Sequence, residues 1–225
     1  MSIFSEIRNE RLIRELQREI NTDVLLFGFD GFTYFGNVQQ IEDCRIILLT
    51  PAIKANCNDV EILSPGGDVR HVEFARIDLW QIVGKGTGIV DDPIQDSCSD
   101  STTDNSGSNT TGNTGNNSNT GNSGSGNSGG GKGGKRVINN EVTDRQESSH
   151  LVRILCRMIG DDVAVTTLGG FLFTGTLGDV DDCLAIMTVD DIFLPGTSSG
   201  ISSSDVRSVV INLEAITSVS SFTCC

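Results

Sequence analysis

Residues 151–183 carry the stretch whose reading decides the fold: LVRILCRMIGDDVAVTTLGGFLFTGTLGDVDDC. It opens with apolar residues at helical spacing, Leu151, Leu155, Met158 and Ile159, which predicts a short amphipathic helix. The period then changes to two, with Val163 and Val165 alternating with polar neighbours as in a half-buried strand. Gly169-Gly170 breaks this strand from the next, as a tight hairpin needs. Phe171, Phe173 and Leu177 continue the apolar pattern beyond the break. Gly175 falls inside that second strand, and an interior glycine predicts a sharp bend by which a small sheet curls on itself.

The same pattern occurs earlier in the chain. LIRELQREINTDV (12–24) matches LVRILCRMIGDDV (151–163), and GFTYFGNVQQIEDC (31–44) matches GFLFTGTLGDVDDC (170–183), both at an offset of 139. GGDVRHVEF (66–74) matches SSDVRSVVI (203–211) at an offset of 137. Three blocks in one order read as a duplication. Ile13, Leu16 and Ile20 supply the helical face of the first copy, Gly31 the hairpin break and Gly36 the bend. A third strand is expected over 44–50 and 183–189, then a loop containing Ser64-Pro65-Gly66-Gly67 or Pro195-Gly196. A fourth strand starts near Val69 or Val206, and a short fifth ends near Ile82 or Val219. The predicted fold class is mainly β: two five-stranded bent barrels, each preceded by a short N-terminal α-helix.

Between the copies, residues 105–131 contain only Asn, Ser, Gly and Thr. Such a segment has no apolar surface to offset its ordering entropy, so it reads as a flexible linker. The expected division is 1–96 for the first unit, 97–136 for the linker and 137–225 for the second unit. The net charge of −14 divides as −7, +1 and −8 over these three parts. Acidic surfaces repel phosphate, so nucleic-acid binding is disfavoured. No secretory signal is visible at the N-terminus and no apolar run is long enough for a membrane span, so no membrane partner is expected. The seven cysteines form no CxxC pair, which suits a reduced, cytoplasmic protein.

The order of elements and the placed glycines resemble the Sm/LSm/Hfq family of small β-barrels. VAVTTLGGFLFTGTLGDVDDCL resembles the first Sm motif through Val163, Val165, Gly170, Gly175, Leu177 and Asp181. VVINLEAITSV (209–219) stands in the place of the second, with Ile216 at its last apolar position. The resemblance implies two Sm-like barrels in tandem. Members of the family bind uridine-rich RNA through an Asn four residues after the motif Asp, and through an Arg-Gly pair in the second motif. Here the corresponding positions are Asp181 with Ala185, and Asn212-Leu213. In the first copy they are Glu42 with Ile46, and Ala75-Arg76. Alanine and isoleucine cannot read a base edge, so these positions predict loss of RNA reading. The resemblance also implies pairing of the fourth strand of one barrel with the fifth of another. Val206, Val209 and Ile211, with Leu79 and Ile82, are the expected contact edges.

No catalytic set, resident metal set or cofactor motif is legible. His71 and His150 occupy non-equivalent places and read as ordinary exposed histidines. The Asp-rich turns around Asp179 and Asp190 read as solvated. Cys44, Cys156 and Cys183 are expected in apolar surroundings, whereas Cys57 and Cys98 fall in loop or linker. Cys224-Cys225 at the chain end could cross-link chains or ligate a metal. The expected function is a non-enzymatic structural or assembly protein that self-associates through barrel edges. A spore-coat component is one concrete form, suggested by the linker and the Cys tail. The alternative is an LSm-like RNA-binding regulator with a diverged face.

Overall fold

The structure is a computed structural model and describes residues 3–43, 45–95, 150–181, 183–198 and 200–222, with the side chains of residues 3–10 left aside. The linker expected over 97–136, Cys44, Cys98, and Cys224-Cys225 lie outside the described residues. The chain is mainly β, and its strands form one open antiparallel sheet of 13 strands.

The first segment begins with α1 (Ile3–Arg18). Leu12 and Leu16 on its apolar face are buried against the sheet. Ile20 lies beyond the helix end and is exposed. The strands follow as β1 (Asp23–Gly28), β2 (Thr33–Glu42), β3 (Ile46–Thr50), β4 (Val60–Leu63), β5 (Val69–Val72) and β6 (Ala75–Asp78). A 3-10 turn (Leu79–Gln81) leads into β7 (Ile82–Ile89). The second segment starts with a helix over 150–155. It continues through β8 (Asp162–Thr167), β9 (Leu172–Val180), β10 (Leu184–Phe193), β11 (Gly200–Ser202) and β12 (Val206–Asn212). A second 3-10 turn (Leu213–Ala215) precedes β13 (Ile216–Ser221). Cys156 lies past the last turn of the second helix and is exposed rather than apolar-packed, whereas Cys183 is half-buried.

The main ladder runs β13-β8-β9-β10-β12-β7-β1-β2-β3-β6, with β4 pairing with β2 and β5, and β11 with β10. The number of strands exceeds the five per unit read from sequence, for three reasons. The region after Thr50 returns to pair again with β2 as β4, through Phe35↔Glu61 and Thr33↔Leu63. The fourth strand of the first segment divides at Glu73-Phe74 into β5 and β6. In the second segment β11 adds a further short strand, pairing with β10 through Ile201↔Ile192. The fifth strand of the first segment also begins at Ile82 rather than ending there, because Gly84, Gly86 and Gly88 are strand residues.

Gly175 explains the bend of the second segment. It sits at φ +148°, and a Cβ there would lie 2.0 Å from the Thr188 carbonyl oxygen. The pairing of β9 with β10 shifts register between Val189 and Asp191, beside this approach. Only a residue without a side chain lets the two strands meet so closely.

Two apolar clusters form the core. One gathers α1 with Val24, Leu26, Val38, Ile47, Leu49, Ile77 and Ile82, and reaches Leu184 and Val210 of the second segment. The other gathers Val163, Val165, Phe171, Phe173, Leu177 and Met187 with Leu25, Phe27 and Phe35 of the first segment. Each cluster thus draws on both segments.

Candidate functional site

Two places bear on function: the turns that hold the expected base-reading positions, and the seam where the segments meet. In the second segment the β9–β10 turn is closed by Asp181. Its Oδ1 accepts from the N–H groups of Cys183 at 2.9 Å and Leu184 at 3.0 Å. Its Oδ2 receives the Arg11 guanidinium of α1 at 2.7 Å. Ala185 is fully buried between Val180 and Ile211 of the neighbouring strands. Asn212 caps the following 3-10 turn, its Oδ1 accepting from Glu214 N–H at 3.0 Å. Leu213 N–H donates to the Cys183 carbonyl at 2.9 Å and its side chain is buried.

The first segment builds the same corner with different residues. Asp78 caps its 3-10 turn by accepting from Trp80 N–H at 3.1 Å. Leu79 N–H donates to the Arg45 carbonyl at 2.7 Å. Arg45 reaches Asp78 Oδ2 through both Nη2 and Nε, at 2.7 and 3.0 Å. That hydrogen-bonded guanidinium holds the Asp78 carboxyl below the usual carboxylate range.

The ladders also reset the correspondence between the segments. Ile46 pairs with Asp78 as Leu184 pairs with Asn212, and Ile47 pairs with Ile77 as Ala185 pairs with Ile211. Asp78-Leu79 therefore stands where Asn212-Leu213 does, in place of Ala75-Arg76, and Ile47 stands where Ala185 does, in place of Ile46. Register in a sheet follows hydrogen-bonded pairing, and loops of unequal length move it relative to a sequence match. Ala75 and Arg76 lie within β6. The Arg76 guanidinium sits 5.3 Å from the Phe74 ring centroid and 3.6 Å from Glu42. At the reset positions stand Ile47, Ala185, Asp78, Asn212 and two leucines. A carboxylate repels phosphate, and the apolar side chains offer no donor to a base.

The seam joins β7 to β12. Ile211 pairs with Gly84, Val210 with Lys85, Val209 with Gly86, and Val206 with Ile89. Val206, Val209 and Ile211 are fully buried there. Leu79 and Ile82, also expected at an edge, are buried in the core of the first segment beside Leu12 and Leu16. A Cβ on Gly84 would lie 2.9 Å from the Val210 carbonyl oxygen, so the strands meet here because Gly84 has none. Behind the ladder the Phe27 ring meets Phe171 and Phe173 edge-on, each at 5.1 Å between centroids. Lys85 is 1% exposed, and its ammonium donates to Glu19 Oε1 at 2.8 Å and to the Glu15 carbonyl at 3.3 Å. The last carbonyls of α1 favour a cation at this point.

Among the described residues, β13 pairs with β8 alone and β6 with β3 alone, so these two strands end the main ladder. The exposed aromatics Phe222 and Phe74 adjoin them, one just after β13 and one just before β6.

A third grouping escaped the sequence reading. Cys57, Glu61 and His71 each place a donor atom within 4.8 Å of the others. His71 is half-buried rather than exposed, and Cys57 is buried and disulfide-bonded, unlike the reduced thiol expected. The three meet through the register of β4 on β5, which places Glu61 opposite His71 and has no signal in the linear sequence.

No family model and no curated protein matches the chain. Among the described residues, no helix is long and apolar enough to cross a membrane.

Proposed function

We propose that the chain is a non-enzymatic assembly protein made of two tandem Sm-like units, each a helix followed by a bent five-stranded barrel-like sheet. In this reading β3 with β4 is one interrupted third strand, β5 with β6 one interrupted fourth strand, and β7 the fifth. The observation that carries the reading is the β7–β12 ladder, in which the fifth strand of one unit pairs with the fourth strand of the other. The chain then ends in the same two kinds of edge, a fourth strand (β6) and a fifth strand (β13). Copies of the chain associate head to tail by pairing them. Such a heterologous contact gives a ring if its rotation closes and a filament if it does not.

Equating Asp78 with Asn212 and Ile82 with Ile216 transfers the seam's register to this contact. Val219 then faces Arg76, Ser218 faces Ile77, and Phe222 comes close to Phe74. β13 carries none of the charges or prolines by which proteins blunt a bare edge, which supports its pairing. The test is the solution mass of the full chain beside a Ser221→Pro variant, because the Ser221 N–H points away from β8 toward the free edge while Ser220 and Phe222 bond β8. We expect the wild type at a multiple of the single-chain mass and the variant at the single-chain mass. A wild type that stays monomeric at tens of micromolar contradicts the proposal. An oligo-uridine titration at physiological salt is expected to show no binding tighter than about 1 μM, because among these positions only Asn212 carries a side-chain donor, and it is buried where it caps its 3-10 turn.

A further inference from the structure

The β4–β5 hairpin and the loop before it assemble a second grouping, independent of the strand edges. Glu61 on β4 and His71 on β5 are direct ladder partners. Cys57 arrives from the preceding loop, and one donor atom from each of the three lies within 4.8 Å of the others. Glu61 is 0% exposed and Cys57 6%, while His71 is half-buried. The loop is anchored where it delivers Cys57. Asn56 donates from its backbone N–H and its side-chain Nδ2 to Asp92 Oδ2, at 3.1 and 3.0 Å, and Asp92 is itself 1% exposed.

Sulfur, oxygen and imidazole nitrogen together form a donor set that suits Zn²⁺. With bonds of roughly 2.0–2.3 Å, tetrahedral zinc donors lie about 3.3–3.8 Å apart. The three side chains need to close by about 1 Å to reach that spacing.

We propose that Cys57, Glu61 and His71 form a site for a zinc-like divalent cation, and that the oxidation state of Cys57 controls its occupancy. Cys57 is disulfide-bonded in the structure, and a disulfide sulfur is not a thiolate ligand. A dithiol reductant opens the site. The Cys57 S–S bond breaks, two protein thiols form, and the two reductant sulfurs join in a disulfide of their own. The Cys57 thiol then releases its proton to solvent as it binds the metal. The ion ties the loop to the hairpin in the reduced protein, as the disulfide constrains Cys57 in the oxidised one.

The chain has two histidines, so imidazole NMR signals test this directly. Oxidised and dithiol-reduced full-length protein are each titrated with Zn²⁺, with exposed His150 as the internal reference. We expect the His71 ring signals to move at one equivalent in the reduced protein and to stay fixed in the oxidised protein. A His71→Ala variant should bind at least about a hundredfold more weakly, the upper end of what even outer-shell changes cost. The proposal is overturned if His71 does not respond in the reduced wild type, or responds equally in the oxidised wild type. It is also overturned if a folded Cys57→Ser variant keeps the full response. The wild-type comparison decides even where a variant fails to fold.

Discussion

Phe27 offers the sharpest test of how the two segments are held together. It belongs to β1 of the first segment, is fully buried, and meets Phe171 and Phe173 of the second at 5.1 Å between ring centroids. Replacing a buried Phe by Ala costs about 3–5 kcal/mol through lost transfer energy and the cavity left behind. For a chain of this length that corresponds to roughly 6–20 °C in Tm. The loss alone does not locate the contact, so the perturbation is a double-mutant cycle of Phe27→Ala and Phe173→Ala. Edge-on aromatic pairs contribute about 0.5–1.5 kcal/mol beyond area burial, and this is the coupling expected. The assay is urea unfolding followed by far-ultraviolet dichroism and by the fluorescence of Trp80, the chain's single tryptophan. Both core clusters draw on both segments, so the two probes should report one transition. A coupling within the roughly 0.3–0.5 kcal/mol found for independent sites, or two separated transitions, would refute the packing of one segment on the other.

Other consequences follow from single contacts. Glu19→Gln leaves the buried Lys85 ammonium with only neutral acceptors, and should cost about 3 kcal/mol in the same unfolding assay, the low end for a broken buried pair because the Glu15 carbonyl remains. Gly175→Ala forces a Cβ against the Thr188 carbonyl and should cost more than about 2 kcal/mol, or prevent folding. The chain's single tyrosine, Tyr34, is pushed up to about 12 by burial and then by Asp30, so its phenol absorbance should titrate near that value and lower in Asp30→Asn. The raised value means that its contribution to stability is complete below pH 10 and is lost as pH rises toward about 12. Asp78 shows the opposite sign. Its lowered carboxyl supports the fold above the ordinary carboxylate range and stops doing so as pH falls through its folded value; carbon-13 titration should show Arg45→Ala returning it upward.

What the sequence revealed, and what it hid, follows from the range of the forces involved. The bend at Gly175 and the turn at Ser64-Pro65-Gly66-Gly67 were legible because backbone sterics are local. The apolar run of β12 was legible because Val206, Val209 and Ile211 mark a buried strand. Its partner β7 was not, because IVGKGTGI reads by composition as a loop. Its glycines suit close approach to β12, and its lysine is satisfied by α1, both non-local facts. β4 was missed because four residues, one of them a buried Glu, carry too little pattern. The Asp78–Asn212 correspondence was misplaced by three residues, since pairing with β3 and β10 sets it and a block match does not. Cys57, Glu61 and His71 meet through a hairpin pairing that no linear spacing announces.

The central claim is that β6 and β13 pair between chains. Residue-resolved hydrogen exchange of the full chain measures this most directly, because a paired edge protects N–H groups that a bare edge leaves to water. We predict that β6 and β13 gain protection with rising protein concentration and lose it together in Ser221→Pro, while the β7–β12 seam stays protected throughout. Outward N–H groups of β6 and β13 that exchange at loop rates in concentrated wild-type protein would contradict the account.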